Sequence, residues 1–144
     1  MDELGFVSRT MHHMGEQSVE DAGLSFAQYR VLMHLFFAEK MDDCAELNPS
    51  EISDRQGVSR NTMSSFIRNL EEEGLVERRL DPNDRRRFKI SLTDSGRALV
   101  TQHTGDHLRS LDESFSALSP DEQTTFLNLL RKLGSHVMTV RDGG

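Results

Sequence analysis

A mainly α fold with one small β-hairpin is what the sequence predicts, and three observations lead there. Apolar residues recur at helical spacing through most of the 144 residues. Two short runs, LVERRL and FKISL, alternate at period two and are joined by the turn-forming DPNDRRR at 81–87, which is the pattern of a hairpin. Helix-start signals stand at Asn48-Pro49-Ser50-Glu51, at Ser59, and at Ser119-Pro120-Asp121-Glu122.

The elements follow in order. Leu4, Val7, Met11 and Met14 step by three and four residues, giving a first helix with a narrow apolar seam. Gly23 and Ser25 mark a break, and Ser25 can cap a second helix. There Phe26, Tyr29, Leu32, Met33 and Phe36 form one face, while Val31, Leu35 and Phe37 cover much of the rest, as in a central core helix. MDDCAEL, from Met41 to Leu47, reads as a polar connection. Asn48 as N-cap and Pro49 at the first helical position begin a short helix that Gly57 ends. Ser59 caps a helix from about Arg60 to Glu73, on which Met63, Phe66, Ile67 and Leu70 form a buried stripe. Gly74 and Leu75 terminate it. After the hairpin, Thr93 or Asp94 caps a long helix with Leu99, Leu108, Leu111 and Phe115 at intervals. The last helix carries Phe126, Leu130, Leu133, Val137 and Val140 as a heptad seam.

That order is a helix-turn-helix followed by a hairpin, a winged helix, over about residues 25–97. The chain is expected to be a single domain whose flanking helices, at about 2–20 and 98–140, carry apolar seams suited to dimerisation; periodicity alone does not separate this from packing within one chain. No run of about 18 apolar residues is present, so nothing is expected to span a membrane. The stretch MDELGFVSRTMHH is acidic and amphipathic rather than basic-then-apolar, so secretion is not expected. The single cysteine, Cys44, rules out an internal disulfide and suits a reducing cytoplasm.

A formal net charge of −7 argues against a nucleic-acid partner, but it is unevenly spread. Residues 55–97 hold ten Lys/Arg against seven Asp/Glu, while the remainder holds seven against 17. A basic island in an acidic body is the kind of patch that phosphate backbones select. Within it Arg60, Asn61, Ser64, Ser65 and Arg68 share the outward face of one helix, with Ser59 and Thr62 at its start. Arg bonds guanine and Asn bonds adenine bidentately, and hydroxyls bond bases or phosphates. Glu71-Glu72-Glu73 fits the end pointing away from DNA, since recognition helices read with their first residues. The wing places Asp84, Arg85, Arg86 and Arg87 at a hairpin tip, and a narrow minor groove attracts inserted arginine.

From Asn48 to Leu99 the sequence strongly resembles the MarR family of bacterial transcriptional regulators. The matching features are VSRNTMSS, NLEEEGLVERR, DPNDRR and LTDSG, with LSFAQYRVL and LSPDEQTTFLNLLRKL matching the family's second and last helices. The resemblance implies a homodimer on a pseudo-palindromic operator of double-stranded DNA, usually a repressor, released by a small phenolic or other anionic effector, an oxidant or a metal. By position in the motif, Arg86 is the wing arginine that enters the minor groove, and Asp84 orients it or pairs with a neighbouring arginine. Two recognition helices would lie about 34–36 Å apart to read adjacent major grooves.

The signal is less legible. The family's usual pocket would be lined here by Met11, Met14, Arg30, Met33, His34 and Phe37, with Arg30 suited to an anionic or aromatic acid. These residues equally suit an ordinary core. His103 and His107, at i and i+4, have a spacing that can hold a metal, with His12 or His13 able to approach. Arg30 stands where the family's zinc-sensing branch would offer histidine, so no metal is favoured. Acids at Asp42, Asp43 and Glu46 would raise the thiol pKa of Cys44, favouring an inert thiol over a redox sensor. No Ser/His/Asp, Cys/His or phosphate-loop signature appears, so neither an enzyme nor a cofactor is expected. A winged helix used only for protein contacts would not need the outward arginines.

Overall fold

A computed structural model describes residues 2–41 and 46–143. Six α-helices and one two-stranded antiparallel hairpin appear in the expected order. These are α1 (Asp2–Ser18), a 3-10 turn (Glu20–Ala22), α2 (Phe26–Met41), α3 (Pro49–Gln56) and α4 (Arg60–Glu72). They continue as β1 (Val76–Leu80), β2 (Phe88–Leu92), α5 (Asp94–Phe115) and α6 (Pro120–Asp142). The chain forms two compact units, one ending at His107 and one starting at Leu108, so α5 contributes to both.

The first unit is built around α2, which packs on α3, α4 and β2. Its Tyr29, Val31, Leu32, Leu35 and Ala38 are at most 1% exposed. Ile52 of α3, Met63, Ile67 and Leu70 of α4, and Val76 and Ile90 of the hairpin complete this core. The expected caps are made. Asn48 Oδ1 accepts from the Glu51 amide at 2.8 Å, Ser59 Oγ from Thr62 at 3.1 Å, and Ser25 Oγ from Gln28 at 3.1 Å. Thr93, not Asp94, starts α5, its Oγ1 accepting from the Gly96 amide at 3.0 Å.

Three points differ from the sequence reading. Leu47 is buried and exchanges two backbone hydrogen bonds with Ile90, so the end of the supposed polar connection acts as a third strand position beside β2. In the first unit the buried stripe of α5 is Gly96, Val100, Thr104 and His107, whereas Leu99 is half-buried. The Tyr29 hydroxyl satisfies this partly polar stripe, lying 3.1 Å from Thr104 Oγ1 and 3.4 Å from the Val100 carbonyl. Phe66 is half-buried rather than part of the fully covered stripe of α4.

In the second unit, Ser119 and Glu122 form a reciprocal capping box at the start of α6. Gln123 Nε2 donates to the carbonyls of Phe115 and Leu118, fixing the turn between helices. The α6 seam is open in a single chain, since Leu130, Leu133, Val137 and Val140 are 39–61% exposed. In α1, Leu4 and Val7 are likewise exposed. Among the described residues, no helix is long and apolar enough to cross a membrane.

The root of the hairpin is set by a close approach. Gly74 has φ of 73°, the left-handed conformation that glycine favours, and reverses the chain out of α4. The Thr93 hydroxyl then donates to Gly74 O at 2.6 Å and its amide to Leu75 O at 3.1 Å. A Cβ on Gly96 would lie 2.0 Å from that Leu75 oxygen. Ordinarily glycine to alanine inside a helix gains about 0.5–1 kcal/mol. Gly105 of α5 has open space around its Cβ position, and Gly105→Ala is expected to follow that rule. Gly96→Ala should instead lose about 1–3 kcal/mol through overpacking. Chemical denaturation of the two variants checks the opposite signs.

Candidate nucleic-acid interface

The face of α4 is made by its own underside. Met63, Ile67 and Leu70 are at most 1% exposed, and this anchoring turns Arg60, Asn61, Ser64, Ser65 and Arg68 to solvent. No ion pair joins Arg60 or Arg68 to an acid among the described residues. Ser59 and Thr62 are also exposed, but each has a structural task. Ser59 Oγ caps the helix and donates to Thr62 Oγ1 at 2.9 Å.

The wing is a shaped turn. Asp81 Oδ1 accepts from the Asn83 amide at 2.8 Å, Asp84 Oδ1 from the Arg86 amide at 3.0 Å, and Asp84 O from the Arg87 amide at 3.0 Å. The same Asp84 carboxylate lies 3.5 Å from Arg86 Nε and 3.6 Å from Arg87 Nε. One aspartate therefore both folds the tip and holds two arginines beside it. The Arg86 side chain nevertheless remains 93% exposed, projecting from the tip. Arg85 is exposed as well.

The basic island is not uniformly available to a polyanion. Arg79 of β1 grips Glu46 with a bidentate pair, Nε at 2.6 Å and Nη2 to the other oxygen, and this pair holds the Glu46 carboxyl below its usual range. Arg97 donates to both oxygens of Glu39, at 3.0 and 2.9 Å, tying the end of α2 to the start of α5. Arg78 lies 3.6 Å from Glu71. Arg78 and Arg79 are neighbours on β1 and alternate sides of the hairpin; the partner of Arg78 closes the preceding helix, and that of Arg79 lies 33 residues away.

Among the other candidates, Arg30, Met33, His34 and Phe37 form a half-buried stripe along α2, and Met33 packs on the core. Met11 and Met14 are half-buried on α1. Burial lowers the Arg30 guanidinium pKa. It also lowers the His34 imidazole, with help from the Arg30 and Arg55 charges, to about 4. His34 Nε2 is buried with no hydrogen-bond partner among the described residues. His12 and His107 both lie against the Phe26 ring, at 5.3 and 5.5 Å between centroids, and His103 meets the edge of Tyr29 at 6.3 Å. Burial lowers the His107 pKa. These three histidines each pack on an aromatic ring, and no group of three His, Cys, Asp or Glu that could hold a metal ion occurs among the described residues. Cys44 lies outside the described residues.

His34 has a consequence for stability. In the unfolded chain its imidazole takes a proton near 6.5, but in the fold only near 4. Between these values the unfolded state holds more protons, so stability falls as pH drops through the window. Denaturation of the native chain and of His34→Gln at pH 7 and pH 4.5 should show a smaller acid loss in the variant. Equal losses would assign the effect to other groups.

A MarR family model matches residues 22–87, which span α2, the helix-turn-helix, β1 and the wing loop. The chain is 36% identical over 115 residues to the HTH-type transcriptional regulator PrsX of Escherichia coli, covering 80% of this chain and 67% of the relative. It is 28% identical over 136 residues to the HTH-type transcriptional repressor YetL of Bacillus subtilis, covering 94% and 79%. Among solved structures it is similar to MepR of S. aureus in complex with DNA, with a TM-score of 0.77, 28% identity and coverage of 92% and 94%. With a solvent-facing helix on a fixed apolar underside and an arginine-tipped hairpin beside it, the chain belongs to the MarR family of winged helix-turn-helix transcriptional regulators.

Proposed function

We propose that the chain represses transcription by binding a pseudo-palindromic operator as a homodimer, and that a small anionic or aromatic effector releases it. The observation that carries this reading is the pairing of two exposed basic elements on one rigid support. Arg60, Asn61, Ser64, Ser65 and Arg68 stand on α4 to read the major groove, and Arg86 projects from the wing toward the minor groove. Arg85 and Arg87 supply phosphate contacts, and Asp84 holds the tip in shape. Support for repression comes from YetL, which is a repressor, and support for the partner comes from the MepR–DNA complex.

In this reading the whole chain acts as one dimeric domain, with helices at about 2–20 and 98–140 supplying the dimer contact. The open apolar residues of α1 and α6 support it, because exposed seams of this length mark association surfaces. The effector site is assigned to the half-buried stripe of Arg30, Met33, His34 and Phe37 with Met11 and Met14. The partly desolvated Arg30 guanidinium supplies the attraction for an acid.

Two measurements test this. A duplex selected by the native chain from a random-sequence library should lose affinity steeply as salt rises. Arg86→Ala should weaken that binding by about five- to 200-fold, equivalent to roughly 1–3 kcal/mol, at unchanged melting temperature. Unchanged affinity would remove the wing from the mechanism. In sedimentation the native chain should run as a dimer, and Leu130→Glu/Leu133→Glu as a folded monomer. A native monomer at micromolar concentration would overturn the two-half-site arrangement.

A further inference from the structure

Resting on the operator-binding reading, we infer that Arg78 does not contact DNA but is a positioning residue, which sets the wing's angle to the recognition helix by bracing Glu71. The strand register carries the argument. Val76 pairs with Leu92, Arg78 with Ile90 and Leu80 with Phe88, so these six residues share one face of the hairpin. Val76, Leu92 and Ile90 are buried, whereas Leu80 and Phe88 are exposed, so this face meets the core near the hairpin root and leaves it toward the tip. Arg78 thus stands where that face leaves the core, next to buried Ile90 and beside the exposed Phe88 ring.

Its guanidinium goes to the recognition helix and to the wing strand together. Arg78 Nε lies 3.6 Å from Glu71 Oε2 in the last turn of α4, and its guanidinium carbon sits 5.1 Å from the centre of the Phe88 ring. The end of α4 needs such a cation. Glu71, Glu72 and Glu73 crowd the negative pole of the helix, and no basic residue of α4 lies in its last turn. Arg78, supplied from across the turn, offsets that charge while joining the two elements.

The geometry also explains what the brace would control. Thr93 fixes Gly74 and Leu75 at the hairpin root. Arg78 is farther out, between that root and the tip that carries Arg86, so it resists tilting of the wing about the root. Its side chain is 32% exposed, whereas that of Arg86 is 93% exposed. The two arginines belong to one basic island but have different tasks.

The test uses opposite signs on a duplex selected by the native protein. Removing an acid near a polyanion should ordinarily strengthen binding. If Glu71 instead serves the brace, Glu71→Gln should weaken binding by roughly two- to fivefold, the scale of an exposed ion pair. Arg78→Gln should weaken it by a similar factor with an unchanged slope of affinity against salt, and the double variant should be no weaker than the worse single one. Arg78→Lys should recover part of the loss. Tighter binding by Glu71→Gln, or a salt slope reduced by about one in Arg78→Gln, would overturn the brace and make Arg78 a phosphate contact. Glu71 is exposed, so loss of fold in its variant is not expected, and a melting curve verifies this. A native chain that selects no duplex would instead defeat the operator-binding reading itself.

Discussion

The burial of Met63, Ile67 and Leu70 beneath α4 is the constraint on which the reading surface depends. A helix held by one apolar stripe has no freedom to roll, because any rotation would expose part of that stripe and open space beneath it. Removing a single such side chain typically costs about 2–5 kcal/mol. The orientation of Arg60, Asn61 and Arg68 is therefore a by-product of core packing. None of these three is held by an ion pair among the described residues, and none needs one to point outward. α2 provides the opposing surface with buried Tyr29, Val31, Leu32, Leu35 and Ala38, and its half-buried stripe extends the apolar character around the helix.

The wing depends on different forces. It is two strands of five residues, and so small a sheet has little core of its own. Its stability is borrowed from neighbours. Leu47 pairs with the free edge of β2, Arg79 grips Glu46, Thr93 ties down the root, and Arg78 reaches the last turn of α4. Individually an exposed ion pair is worth about 0.2–1 kcal/mol. Placed around one hairpin, they serve direction more than stability. At the tip, Asp84 repeats the principle locally by accepting an amide and holding two arginines within one turn.

Ten basic residues between 55 and 97 looked like one patch available to a polyanion. Arg78, Arg79 and Arg97 each have a carboxylate partner in the fold, and they brace it. Arg60 and Arg68 on the outer face of α4 have no such carboxylate partner among the described residues, and at the wing tip Arg86 stays 93% exposed although Asp84 lies beside it. The histidines follow the same logic. Their i, i+4 spacing suggested a shared face, and they do share it, but that face meets Phe26 and Tyr29.

By itself the sequence determined the element order, the helix starts at Asn48, Ser59 and Ser119, the hairpin with its DPNDRRR loop, and the outward set on α4. These follow from local chemistry, since caps, turns and periodicity act over a few residues. Tertiary structure decided what no local pattern contains. It made Leu47 a strand partner and gave Gly96 its close approach to Leu75. It buried Thr104 and His107 on α5, polar residues that apolar periodicity does not mark. It also sorted the arginines of the basic island into braces and free side chains, because a carboxylate 33 or 58 residues away is invisible to spacing. Periodicity fixes which side a residue faces, and only the fold fixes what waits there.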